Sequence, residues 1–183
     1  MPVSRAVTAR GALAGAVAAT VWAAQQPLDQ RVFGVPYDDC ELLGTVVTRG
    51  RWARPLGWAL HVANGAIFGA VYANVGPRVP LPSWARGPAA GLAEHAVTWP
   101  LTALVPALHP AGAELPTLWG SAPALAQATW RHGLFGAVLG ELERRLNAEP
   151  EPEIPAYEAV VSPNGHGTLE HATVVGFVEP KAS

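Results

Sequence analysis

Residues 56–76 read LGWALHVANGAIFGAVYANVG, and the only side chain among them that ionises near neutral pH is His61. A helical run of about 20 apolar residues spans the hydrocarbon layer of a bilayer. Three other runs are similar in length and composition, at 11–28, 87–108 and 117–140. The buried helix of a soluble protein normally keeps a polar face, and these runs have too few polar residues to form one. The sequence therefore predicts four transmembrane helices.

This pattern predicts an all-α, four-transmembrane-helix bundle followed by a disordered C-terminal tail. The residues after the last helix are polar and rich in Pro and Glu, a composition typical of disorder. The expected boundaries are a membrane domain at 1–146, with helices at about 8–28, 56–76, 87–108 and 117–145, an outer loop at 29–55 and a tail at 147–183.

The distribution of Lys and Arg sets the orientation. With the N-terminus inside, seven of these residues fall on the cytoplasmic side, and Arg31, Arg49, Arg51 and Arg54 fall outside. Because cytoplasmic connections are enriched in positive charge, this excess predicts that both termini, including the tail, are cytoplasmic.

An internal repeat relates the two halves of the predicted bundle. Residues 10–15 match 86–91 in the pattern Arg-Gly-x-x-Ala-Gly, and residues 68–71 match 135–138 in the sequence Phe-Gly-Ala-Val. We therefore predict two duplicated helical hairpins in the same orientation. Residues 1–23 also fit a cleaved signal peptide. The repeat argues against cleavage, because it makes the first helix a structural partner of the third.

Small residues recur every fourth position in each predicted helix. Such spacing places them on one face, where they allow close backbone contact between helices in lipid. We assign helix packing to eight of them: Gly11, Gly15, Gly65, Gly69, Gly87, Gly91, Gly136 and Gly140.

Polar side chains lie on or beside these faces in the second, third and fourth predicted helices. Intramembrane ionisable groups are costly, usually face the bundle interior and usually pair. We therefore predict an ion pair between Glu94 and Arg131. The candidate intramembrane cluster consists of Glu94, His95, Arg131, His132, His61 and Asn64.

Three interpretations of this cluster stay open: structural pairing, a proton or ion path, and a metal or haem site with two histidine ligands. No His-x-x-Glu-His or Glu-x-x-His pattern supports the third, so we predict no metal and no cofactor. No nucleophile elbow, P-loop or dinucleotide fingerprint occurs, and we predict no catalytic residue.

The predicted outer loop contains three carboxylates, Asp38, Asp39 and Glu41. Their oxygens could bind a divalent cation, or one aspartate could cap a short helix near 37–47. We favour the cap, because the spacing is not that of an EF-hand. The single cysteine, Cys40, excludes an internal disulfide, and its acidic neighbours argue against a reactive thiolate.

The positions of the tryptophans in the sequence also favour a membrane protein. Trp22, Trp99 and Trp119 lie near the ends of predicted helices, where indoles favour the membrane–water interface. Trp130 falls in the middle of the fourth predicted helix, so we expect it to lie deep in the bundle.

The Gly-x-x-Ala-Gly opening of the first helix, its exit Gln26-Pro27-Leu28-Asp29 and the stretch Val35-Pro36-Tyr37-Asp38 resemble a known group. They are similar to uncharacterised small four-helix integral membrane proteins of high-GC, actinobacterial-type bacteria, and more distantly to the YagU-like inner-membrane proteins. The resemblance covers roughly residues 8–146 and implies a location in the plasma membrane. It implies no activity and no catalytic residue.

Two functions follow from the sequence. The first is a non-enzymatic accessory or interaction component, with the lipid bilayer around it and a homo-oligomer or another membrane protein as partner. The alternative is a small transporter or proton-linked permease that uses the polar cluster. A dry, close-packed seam around His95 would favour the first, and a water-filled cavity the second. The net charge of −2 and the lack of a basic run argue against nucleic acid.

Overall fold

The computed structural model describes residues 4–148, and this part of the chain is all-α, without a β-strand. The predicted tail at 147–183 lies outside the described residues, apart from Asn147 and Ala148. Three 3₁₀ segments join or extend the helices, at Gly50–Trp52, Gly76–Arg78 and Trp99–Leu104. The α-helices are α1 (Arg5–Phe33), α2 (Asp39–Val47), α3 (Ala53–Val75), α4 (Ser83–Thr98), α5 (Val105–Leu108) and α6 (Ala122–Leu146).

Helix α1 is longer than the sequence predicts, since it continues through Pro27 to Phe33. Proline removes one backbone hydrogen bond and often ends a helix. Here the last turns are held by side chains, because Asp29 accepts hydrogen bonds from α6 and Gln30 donates to the carbonyl of Tyr37. Gly34 then ends the helix with a φ of 69°, a conformation that glycine adopts without strain.

The third predicted helix, at 87–108, is divided in the structure. Helix α4 ends at Thr98, and a 3₁₀ segment with Pro100 in its first turn leads to the short helix α5. Helix α6 begins at Ala122, not at 117, because the hydroxyl of Ser121 accepts a hydrogen bond from the backbone N–H of Ala124 and caps the first turn.

Helices α1 and α3 pack antiparallel through glycine. A Cβ atom added to Gly15 would lie 2.0 Å from the carbonyl oxygen of Gly65, and one added to Gly69 would lie 2.2 Å from that of Gly11. Helices α4 and α6 meet in the same way, because a Cβ on Gly87 would lie 2.2 Å from the carbonyl oxygen of Gly136. Both contacts therefore depend on residues without side chains.

The two hairpins use equivalent contacts. Gly11 faces Gly69 and Ala73 in the first hairpin, and Gly87 faces Gly136 and Gly140 in the second. Similarly, Gly15 faces positions 65 and 69, and Gly91 faces positions 132 and 136. The sequence repeat aligns these positions one to one, so the pairing within each hairpin follows the repeat.

The packing between the hairpins is unequal. Helix α1 packs on α6, but α3 and α4, which the repeat relates to α6 and α1, make little contact. The four long helices thus follow the order α3, α1, α6, α4. A gap between α3 and α4 opens above a floor formed by α1 and α6.

Two helices are long and apolar enough to cross a membrane, Arg5–Phe33 and the continuous helical run Gly50–Arg78. This finding rests on length and composition alone. Helix α4 has only 16 residues, and α6 carries Gln127, Arg131 and His132 in its middle turns. Neither meets the same criteria, although the sequence predicts that both cross.

Candidate functional site

Arg131 is the most deeply buried charge in the described structure, with a side chain 1% exposed. Its Nε donates to Asp29 Oδ2 at 2.7 Å and its NH2 to Asp29 Oδ1 at 2.6 Å, which makes a bidentate pair. Its NH1 donates to Asp39 Oδ2 at 2.6 Å, and NH2 also reaches the carbonyl of Tyr37. Arg131 therefore ties α6 to α1, to α2 and to the connection between them.

The predicted ion pair between Glu94 and Arg131 is wrong. Glu94 Oε2 instead lies 2.8 Å from Nε2 of His132. Successive residues of an α-helix are rotated by about 100°, so Arg131 faces α1 whereas His132 faces α4, which carries Glu94. The partners of Arg131 come from the segment that the sequence predicts to be outer loop.

Glu94 and His132 lie in hydrogen-bond contact. Nδ1 of His132 lies 2.7 Å from the carbonyl oxygen of Ala128, which can only accept. Nε2 of His132 lies 2.8 Å from Glu94 Oε2. The contact is an ion pair when the imidazole carries both of its protons.

His95 belongs to the same cluster but has a different partner. The hydroxyl of Thr129 donates to the carbonyl of Leu125, so its oxygen accepts from Nε2 of His95 at 3.1 Å. The His95 and His132 rings lie with centroids 4.7 Å apart. His95 therefore donates from Nε2 to Thr129, and its ring lies next to that of His132.

The Trp22 ring packs against two of the histidines, His61 and His132. Its ring centroid lies 4.6 Å from that of His132 and 5.2 Å from that of His61. Its Nε1 donates to Asp39 Oδ2 at 2.8 Å, in a side chain that is buried. The expectation that Trp22 lies at a membrane interface is thus wrong, because its N–H finds a carboxylate inside the bundle.

Trp130 is half exposed, and its Nε1 donates to the side-chain oxygen of Gln25 at 3.2 Å. The residue next along α6, Arg131, takes the interior position. The depth of Trp130 in the membrane stays a prediction.

Helix α2 is capped as predicted. Asp38 Oδ1 accepts from the backbone N–H of Cys40 at 2.8 Å and from that of Glu41 at 3.1 Å, and its other oxygen pairs with Arg54. Within residues 4–148, no group of three His, Cys, Asp or Glu residues is arranged to hold a metal ion. Burial, and secondarily the carboxylates of Asp38 and Asp39, raises the pKa of the Cys40 thiol to about 12.

A cavity of about 450 Å³ occupies the gap between α3 and α4. His61 lies in its wall with more than nine tenths of its surface buried, and its Nε2 has no hydrogen-bond partner among the described residues. The whole predicted cluster lines this cavity: His61, Asn64, Glu94, His95, Arg131 and His132.

Four residues of the buried network were not among the predicted site residues: Trp22, Asp29, Asp39 and Gln127. Gln127 donates to Asp29 Oδ1 at 2.9 Å and completes the buried network around Arg131. Asp29 and Asp39 lie in the predicted loop, and the predicted pairing of Arg131 with Glu94 left no unpaired charge that would point to them. A single charge inside an apolar run requires a counter-charge from elsewhere.

The two seams between the hairpins differ in their polar groups. The closed seam between α1 and α6 contains the bidentate ion pair of Arg131 and Asp29. The sequence alignment places Asn64 opposite Arg131, and the position aligned with Asp29 falls beyond the end of α4. The open seam has the neutral amide of Asn64 and the aliphatic side chain of Val105, both of which line the cavity.

We compared the chain with models of protein families, with curated proteins and with solved structures, and none of the three gave a match. The resemblance to small four-helix bacterial membrane proteins therefore stays a prediction. The functional argument rests on the geometry of the cavity and of the groups around it.

Proposed function

We propose that this chain is a plasma-membrane protein with four crossing helices and both termini in the cytoplasm. In this proposal it binds a small solute in the cavity between α3 and α4 and couples the passage of that solute to a proton. The cavity is the observation that carries the proposal. The polar cluster lines a space whose volume is within the range of small-molecule sites.

The distribution of polarity supports four crossings. The buried side chains include Gln26, Asp29, Gln127 and Arg131, whereas large apolar side chains are exposed. A soluble bundle would normally bury the second group and expose the first. The exposed apolar residues occur on all four long helices: Leu13, Val17, Leu28 and Val32 on α1, Ile67, Val71 and Val75 on α3, Leu92 and Val97 on α4, Leu125 and Trp130 on α6.

The pair formed by Glu94 and His132 supports the link to a proton. Glu94 Oε2 lies 2.8 Å from His132 Nε2, and the Glu94 side chain is 35% exposed. A solute that binds Glu94 would compete with His132 for the carboxylate, which would link binding of the solute to protonation of the pair. The other titratable groups around the cavity are Asp29 on α1, Tyr37 before α2, Asp39 on α2, His61 on α3, His95 on α4 and Arg131 on α6.

Aqueous accessibility of the cavity tests this proposal. In a Cys40→Ser background reconstituted in liposomes, we expect Asn64→Cys to react with a charged, membrane-impermeant thiosulfonate. Ile67→Cys is the matched control, because it is one turn away on the exposed apolar face of α3. If Asn64→Cys reacts from neither side, the cavity is dry and the accessory-component function is favoured. If both react, α3 is not in lipid and the membrane proposal is wrong.

Topology is tested by the same chemistry at exposed positions of the connections. We expect Val46→Cys and Ala113→Cys to label only from outside intact cells, and Pro80→Cys and Ala148→Cys only after permeabilisation. All four positions are exposed, so lack of reaction reports on sidedness rather than on burial. Labelling of Pro80→Cys from outside would overturn the four-crossing arrangement.

A further inference from the structure

The charges around the cavity do not balance. Among the described residues that line it, Arg131 is the only permanent cation, and Asp39 and Glu94 are the carboxylates. Asp29 lies behind Arg131 and takes its bidentate contact. One permanent cation therefore faces three carboxylates. The remaining negative charge favours a cation in the cavity.

The rest of the lining is apolar and aromatic. Aliphatic side chains come from α2, α5 and the 3₁₀ segment before α5, and aromatic rings come from several elements. Aromatic faces attract cations, and an apolar wall provides no groups to solvate a bare metal ion. The rings that line the cavity are those of Trp22, Tyr37, Phe68, Trp99 and Phe135.

We infer that the cavity binds a protonated amine with an apolar body, an inference that rests on the proposed function. The ammonium group pairs with Glu94, whose side chain is 35% exposed, and the apolar body fills the open seam between α3 and α4. This seam suits a ligand because Asn64 and Val105 line it, whereas a bidentate ion pair closes the seam between α1 and α6. The ligand provides the positive charge that Arg131 provides in the closed seam.

Binding of matched probes to the full chain in lipid nanodiscs tests this inference. The probes are 2-phenylethylamine, 2-phenylethanol and 3-phenylpropanoate at neutral pH, measured by calorimetry with empty nanodiscs subtracted. We expect the amine to bind at least about tenfold more tightly than the alcohol, and Glu94→Gln to remove about this factor. Glu114→Gln is the matched control, because that carboxylate pairs with Arg49 on the surface and should leave amine binding unchanged.

A second variant makes the result specific to the cavity. Val105→Trp narrows the open seam without touching a charged group and should weaken amine binding as well. If the alcohol or the carboxylate binds as tightly as the amine and Val105→Trp abolishes this binding, the ligand is not specifically an amine. The proposal that the cavity binds a small solute would then still stand. If neither Glu94→Gln nor Val105→Trp changes amine binding, the amine is partitioning into lipid and the inference is wrong. The accessibility of Asn64→Cys tests the proposed function independently.

Discussion

Replacement of Asp29 by asparagine is the most direct test of the interior network. Asp29 is 2% exposed and accepts four hydrogen bonds: two from Arg131, one from Gln127 and one from Gln25. An asparagine side chain keeps the shape but has one acceptor oxygen, and its amide N–H₂ faces the donors of Arg131. The substitution therefore removes a charge and adds unfavourable donor–donor contact.

The size of the expected loss in unfolding free energy depends on the hydrogen-bond partners that Arg131 retains in Asp29→Asn. Removing one partner of a buried pair typically costs about 3–5 kcal/mol, because the other charge is stranded. Arg131 retains Asp39 and the carbonyl of Tyr37, so we expect the lower end, about 3 kcal/mol. The exposed pair of Arg49 and Glu114 provides the matched control, since solvent screening limits its contribution to less than about 1 kcal/mol.

The assay is reversible unfolding in detergent by SDS titration, followed by tryptophan fluorescence, to which the buried Trp22 contributes. Asp29→Asn should be much less stable than Glu114→Gln, and Asp29→Asn combined with Arg131→Met should recover part of the loss, because no charge is then stranded. A loss below about 1 kcal/mol for Asp29→Asn, or strictly additive losses in the double variant, would refute the network.

Three further outcomes are expected. Gly15→Ala should separate α1 from α3 and cost about 1–3 kcal/mol in the same titration, whereas Gly133→Ala, where a Cβ meets nothing within 4 Å, should be neutral or stabilising. Cys40 should resist maleimide at pH 8 until the bundle is unfolded, because its pKa of about 12 keeps it protonated. The unfolded thiol loses its proton at lower pH, so the free energy of unfolding should fall as pH rises from about 9 to 12. Rapid labelling of Cys40 in the folded protein would contradict the expected protection. Glu94→Gln should destabilise the bundle less than Asp29→Asn does, since Glu94 is 35% exposed and His132 can become neutral. An equal loss of unfolding free energy in the two variants would contradict this expectation.

The helical content and the packing surfaces could be predicted from local sequence. Apolar runs of helical length and glycines at four-residue spacing are properties of a single segment, and Gly11 with Gly15 indicated a contact face without knowledge of the partner. The Asp38 cap was predictable for the same reason, because it involves backbone atoms two and three residues away.

The interior network could not be predicted in this way. The sequence placed Glu94 and Arg131 at similar depth, but depth along a helix does not determine the direction in which a side chain points. Neighbouring residues Arg131 and His132 face different helices, and each takes a different carboxylate. Extension of α1 through Pro27 brought Asp29 into the bundle, and this extension depends on contacts with α6.

The sequence by itself determined that the chain forms apolar helices with glycine faces, because these depend on residues close together in the chain. Tertiary structure decided which seam between the hairpins closes. The closed seam requires a charge on α6 to meet a charge on α1 across 102 positions of sequence. Between α3 and α4 no such ion pair forms among the described residues, and the cavity lies in that gap.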